Sequence, residues 1–117
     1  MAKCKTCEEK QEAFQKLITE FISSPAKIGE KVFEDFKITT HTWVRKFSKD
    51  LNPSDLKWHC DESDRIIFAI NENDWEFQFD NELPIKLPVN EKIQITKDLW
   101  HRSIKGSTDL VLFIQEV

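Results

Sequence analysis

The chain contains two glycines in 117 residues, and no G-x-x-x-x-G-K-[ST] or G-x-S-x-G stretch. A backbone cradle for phosphates and a strained nucleophile elbow both depend on such glycines, so neither chemistry is expected. Long apolar runs are missing as well. None approaches the ~18 residues that cross a bilayer, and residues 1–11 lack the apolar stretch of a secretion signal. The three cysteines, an odd number, do not make a disulfide framework. Basic charge is not in excess either: seventeen Lys and Arg face twenty-one Asp and Glu, a net −4 with the signs interspersed. A nucleic-acid backbone is bound by neutralising its phosphates, and no basic stripe exists here to do so. These absences predict a cytoplasmic protein whose partner is a small molecule, with no nucleic acid and no membrane involved.

Hydrophobic residues make up 39% and charged residues 32%, with nine Phe and four Trp to fill a core. That balance and the length predict one globular domain. Cys4 and Cys7 form a lone C-x-x-C. It reads as an unligated terminus, or as half a zinc site completed by a second chain, by Cys60 or by a histidine.

From Glu8 to Phe36 the apolar spacing is helical. Ala13, Phe14, Leu17, Ile18, Phe21 and Ile22 fall on one helix face. Ser24-Pro25 reads as an N-cap with proline at the first helical position, opening a second helix through Ile28, Val32, Phe33 and Phe36. Residues 1–36 are therefore expected to be two short helices packing on the rest of the domain, or on a partner such as a second copy in a homodimer.

From Lys37 to the end, residues 37–117, the period falls to two. ITTHTWVRKF, DLKWH, RIIFAI, WEFQFD, LPIKL, KIQIT, WHRSI and LVLFI read as short strands, separated by DESD, NEND, DNELP, PVNE, TKD and KGSTD. Short strands at intervals of about ten residues without intervening helices predict a mostly β fold, a sandwich or antiparallel β-barrel.

Two Trp-His pairs stand in this half, Trp58-His59 and Trp100-His101. On a strand, His59 and Asp61 share a face. If the sheet curls so that the two stretches meet, His59, Asp61 and His101 converge as two imidazoles and one carboxylate. Such a triad takes one triangular face of a transition metal and leaves positions open, as in iron(II) oxygenases. His41 is a further candidate ligand. The plainer reading keeps each histidine as an ordinary surface or core residue.

The stretch from Pro53 to Ile114, through WHCDESDR, WEFQFDNELPIKL and WHRSIKGSTDL, resembles a small single-domain cupin of a compact type found in phages and bacteria. The resemblance implies a cupin-like β-barrel, or double-stranded β-helix. It also implies a metal centre on His59, Asp61 and His101 holding Fe2+ by preference, or Mn2+, Ni2+ or Zn2+. Asp61 stands where most cupins have histidine, and Arg65 where the common pattern has a glutamate ligand. The glycines that bound the first motif are Pro53 and Glu72 here, and Thr96, Asp98 and Lys105 replace the turn and closing residues of the second.

Arg65 offers a planar fork suited to a carboxylate or phosphate, and equally to a salt bridge with Asp61 or Asp64. Gln78 would orient a ligand if the Glu76/Gln78 face of its strand points inward; the Trp75, Phe77 and Phe79 face is the alternative. Cys60 is expected as a small buried or half-buried hydrophobe. The leading expectation is a cupin-like metalloprotein binding a small polar ligand in its barrel, an oxygenase if it is an enzyme. A non-catalytic binding module is the alternative, and metal-assisted isomerisation of a sugar-like substrate the weakest reading.

Overall fold

The computed structural model describes residues 7–29 and 31–117, leaving aside the side chains of Cys7 and Glu8. Helix α1 (Cys7–Ser23) is followed by eight strands: β1 (Glu34–Thr39), β2 (Thr42–Phe47), β3 (Arg65–Ala69), β4 (Glu76–Phe79), β5 (Ile85–Lys86), β6 (Ile93–Ile95), β7 (His101–Ile104) and β8 (Leu110–Glu116). A short 3-10 turn, Pro53–Asp55, lies between β2 and β3.

The strands form two antiparallel sheets, one ordered β1-β2-β8-β3-β6 and the other β5-β4-β7. Alternation sends Phe47, Ile67, Ala69, Ile95, Leu110, Leu112 and Ile114 of the larger sheet against Trp75 and Phe77 beside the smaller one, with Leu51 and Leu87 closing the layer. Each buried side chain of this size contributes roughly 1.5–3 kcal/mol by leaving water. Trp75 is fully buried and satisfies its indole by donating to the Thr108 carbonyl at 2.6 Å. Three turn residues, Asn81, Asn90 and Asp98, take positive φ of 62°, 64° and 64°. Asn and Asp tolerate that region best among residues with a side chain, which is why DNELP, PVNE and TKD mark strand ends.

Several expectations are corrected. The sheets face one another as a sandwich and do not close into a barrel. Among the described residues there is one helix of α type: the second, expected over 24–36, does not form. Its amides are drawn to distant side chains, Ala26 N donating to Asp109 Oδ2 at 2.9 Å and Lys27 N to Glu34 Oε1 at 2.6 Å. Residues 34–36 instead begin β1, so the expected division at 36/37 falls inside that strand. Finally, ITTHTWVRKF is not one strand; it spans a hairpin whose turn is Thr40-His41, and DLKWH is a turn and loop.

Helix α1 packs on the outer face of the larger sheet from its middle to its C-terminal end. Phe14 and Phe21 tilt against Phe36 at 5.9 and 5.4 Å between centroids. Lys46, 2% exposed, reaches up from β2 and donates Nζ to the Phe21 carbonyl (2.7 Å), the Ser24 carbonyl (3.1 Å) and Ser24 Oγ (2.8 Å). A helix end leaves its last carbonyls without intrahelical partners and carries partial negative charge, so a buried ammonium answers both needs.

Candidate metal centre

The first histidine is delivered by a loop. Asn52 Oδ1 accepts from Ser54 N at 3.0 Å and caps the turn opened by Pro53, while buried Leu51 anchors its start. The chain then reaches β7 through one antiparallel bridge: His59 N donates to the His101 carbonyl at 3.0 Å and His101 N returns to the His59 carbonyl at 2.9 Å. Asp61 is held next to it. Its carbonyl accepts from Asp98 N at 3.0 Å, and Asp64 Oδ1 accepts from Lys97 N at 2.6 Å. The turn leading into His101 thus also pins the segment carrying the carboxylate.

One donor atom from each of His59, Asp61 and His101 lies within 4.8 Å of the others. His101 is 2% exposed and Asp61 9%, while His59 sits at the exposed rim. The imidazoles approach edge to face at 4.4 Å, and Phe77 stacks on His101 at 5.2 Å and 27°. Each ring uses Nδ1 in the same way: His59 Nδ1 lies 3.0 Å from the Lys57 carbonyl and His101 Nδ1 2.7 Å from the Leu99 carbonyl. A carbonyl only accepts, so Nδ1 carries the hydrogen in both, and the neutral tautomer leaves Nε2 bare. Backbone carbonyls of this kind orient histidines that ligate metals.

The carboxylate makes the case for a cation. Asp61 Oδ2 is buried with no hydrogen-bond partner among the described residues, yet it lies 3.3 Å from His101 Nε2. The contact is close but poorly aligned for a hydrogen bond. With His101 neutral, two lone pairs face each other, and only a positive charge between them, a proton or a metal ion, makes the arrangement favourable. The residues present therefore fit a metal. Burial alone would raise the Asp61 carboxyl, but a proton on His101, then the Arg65 guanidinium and then positive charge on His59 outweigh it and hold the group below its ordinary value. It is ionised at neutral pH, as a ligand must be.

Beside the triad opens a cavity of about 380 Å³, walled by Arg45, Lys57, Arg65 and Ser103 as well as by Phe33, Phe47, Leu56, Leu112 and Ile114. Arg65 lies in this wall with Nη1 3.2 Å from Asp61 Oδ1, so the salt bridge considered from sequence exists and leaves Oδ2 open. Gln78 does not line the cavity. Phe77 points inward, while Gln78 donates to the Glu82 carbonyl at 2.9 Å and accepts from Arg102 Nε at 2.9 Å. A ligand in the cavity would not meet it. His41 lies in the hairpin turn, with Nδ1 3.8 Å from Glu116, and does not join the triad. Cys60 is exposed, contrary to expectation, because its stretch is a loop with one bridge. Cys4 and the side chain of Cys7 lie outside the described residues. Arg45, which no sequence signal distinguished from a surface charge, proves to be a wall residue through the inward alternation of β2.

The fold and site together define a β-sandwich with a His-Asp-His cluster at one end of its interior, two members buried and His59 at the rim. Its likeness to solved structures is to cupins. It is similar to an RmlC-like cupin-family protein with a double-stranded β-helix fold from Methanocaldococcus jannaschii: 14% identity, TM-score 0.55, over 82% of this chain and 91% of that one. It is similar to the DMSP lyase DddQ from Ruegeria pomeroyi at 11% identity and TM-score 0.63, over 97% and 64%. The iron(II) form of HppE aligns at 14% identity and TM-score 0.56, over 82% and 57%. No protein-family profile and no curated protein sequence matches the chain. At these identities the likeness is one of fold. Among the described residues no helix is long and apolar enough to cross a membrane.

Proposed function

We propose that this protein is a cupin-fold metalloprotein that holds a divalent transition metal, iron(II) by preference, on His59, Asp61 and His101 and binds a small polar molecule in the adjoining cavity. One observation carries the reading: a buried carboxylate oxygen without a partner faces an imidazole nitrogen that backbone geometry has left bare. The iron(II) form of HppE among the structural neighbours supports the choice of metal. Two imidazoles and a carboxylate are the donor set of non-haem iron(II) oxygenases, and the bound ion would supply oxygen activation or Lewis acidity. The chain itself holds both histidines in the ligating tautomer, keeps Asp61 ionised, and shields the inner side of the site with Phe77.

Elemental analysis of untagged protein tests this. Near-stoichiometric iron, manganese, nickel or zinc is expected, falling to background in an Asp61→Asn variant whose circular dichroism is unchanged. Protein that takes up none of these ions on dialysis overturns it. The Arg65–Asp61 contact favours a second reading, a non-catalytic module in which the guanidinium takes the place of metal as the carboxylate's partner. That reading predicts metal-free protein that still binds a ligand.

A further inference from the structure

Two guanidiniums stand in the cavity wall, and their surroundings differ. Arg45 gives Nε and Nη2 to the two oxygens of Asp35 at 2.8 and 3.0 Å and lies 3.6 Å over the Phe33 ring, so its fork is occupied. Arg65 makes no directed side-chain hydrogen bond to any described residue. Its guanidinium lies 5.2 Å from the Trp43 ring centroid, Nη1 is 3.2 Å from Asp61 Oδ1 and Nη2 4.0 Å from Glu116 Oε1, and Nε is buried with no hydrogen-bond partner among the described residues. A guanidinium has five N–H groups, and leaving them undirected in a part-buried wall is costly unless something else accepts from them.

We infer that the cavity takes an organic carboxylate with an apolar body, its acid group on the Arg65 fork and its body against Phe33, Phe47, Leu56, Leu112 and Ile114. This rests on the proposed function for the cavity's being the ligand site. The charge in the wall points the same way. Arg45 is neutralised by Asp35, and Lys57 shares the wall with Asp55, which leaves Arg65 between Asp61 and Glu116. A divalent ion on the triad then makes that end net positive, and a monoanion offsets it. A phosphate fits less well: a dianion wants several converging donors, whereas this wall offers one open fork beside the carboxylates of Asp55 and Asp61. A volume of about 380 Å³, lined largely by apolar side chains, suits a small aryl or alkyl acid.

Isothermal titration of the full chain with phenylacetate, in zinc-loaded and metal-stripped forms, tests the inference. Phenylacetate is expected to bind, and the isosteric neutral phenylacetamide to bind at least about tenfold more weakly. Arg65→Lys keeps the charge beside Asp61, and with it the fold, but loses the fork; it is expected to weaken phenylacetate about tenfold and leave phenylacetamide unchanged. Equal binding of acid and amide, binding of neither, or inorganic phosphate binding more tightly than phenylacetate overturns it. Arg65-dependent binding of the acid to protein that takes up no metal upholds the inference and removes the metal reading. Metal uptake without acid binding does the reverse.

Discussion

The two ends of the space between the sheets are built on opposite rules. At one end Trp75, Leu110, Ala69 and Leu51 fill the interior, and the indole N–H has its acceptor. At the other, the same sheets border a cavity, with a carboxylate oxygen and a guanidine nitrogen that have no hydrogen-bond partner among the described residues. Buried polar groups without partners destabilise a fold by about 1–3 kcal/mol each. The filled end supplies the stability that offsets this cost at the polar end.

Breaking the filled end has the largest expected effect. Leu110 is fully buried, and Leu110→Ala is expected to lower unfolding free energy by about 2–5 kcal/mol in urea titration. Metal content per folded molecule is expected to stay unchanged, because the triad lies at the other end; loss of metal in the folded variant would dissolve the contrast. The helix dock comes next. Lys46→Met keeps most of the length of the side chain but removes the ammonium that the Phe21 and Ser24 carbonyls accept from, leaving Phe21 only its bond from Ser24 Oγ. A loss of about 1–3 kcal/mol is expected, with faster amide exchange along the C-terminal half of α1 and no change in metal affinity.

The smallest effect belongs to the clasp beside Trp75. Asp74 accepts from Ser107 Oγ at 2.6 Å and Ser107 N at 2.7 Å, and the Ser107 hydroxyl, then its amide, lower the Asp74 carboxyl below 3.8 against a small opposing effect of burial. The folded state therefore releases this proton more readily than the unfolded chain. Its contribution is complete above the unfolded value and is lost as pH falls through the lower folded one. Thermal midpoints measured from pH 5 downward should fall less steeply in Asp74→Asn than in the parent. Gly106 fits the same clasp, since a Cβ there would come within 2.8 Å of backbone atoms of Asp74 and Trp75.

Much of the polar end was legible before the structure. The two Trp-His pairs located both imidazoles, and the His-x-Asp spacing located the carboxylate, although His59 stands on a loop where a strand was expected. Most strands of the second half appear where alternation put them, with β5 reduced to two residues. The failures cluster between residues 24 and 47. Val32, Phe33 and Phe36 fit a helical stripe as well as a strand, and what decided between them was Asp109, more than seventy residues away, accepting from Ala26. Thr40-His41 turns without Gly, Asn, Asp or Pro, so a β-branched run hid a hairpin. Gln78 could not be assigned a side because alternation fixes which residues share a face and leaves open which face is inner. Arg65 was singled out from sequence and Arg45 was not; that Arg45 also reaches the cavity but is paired arises from the cross-strand register that sets Asp35 opposite it.

The single bridge between His59 and His101 separates two kinds of inheritance. The residues on either side of it are locked in register by a reciprocal pair of backbone bonds, while the path from Phe47 to that point is mostly irregular chain. Insertions or replacements along that path can remodel the mouth without shifting the imidazoles. The lining of the cavity can thus diverge in one stretch while the spacing of the His-Asp-His cluster is carried forward untouched.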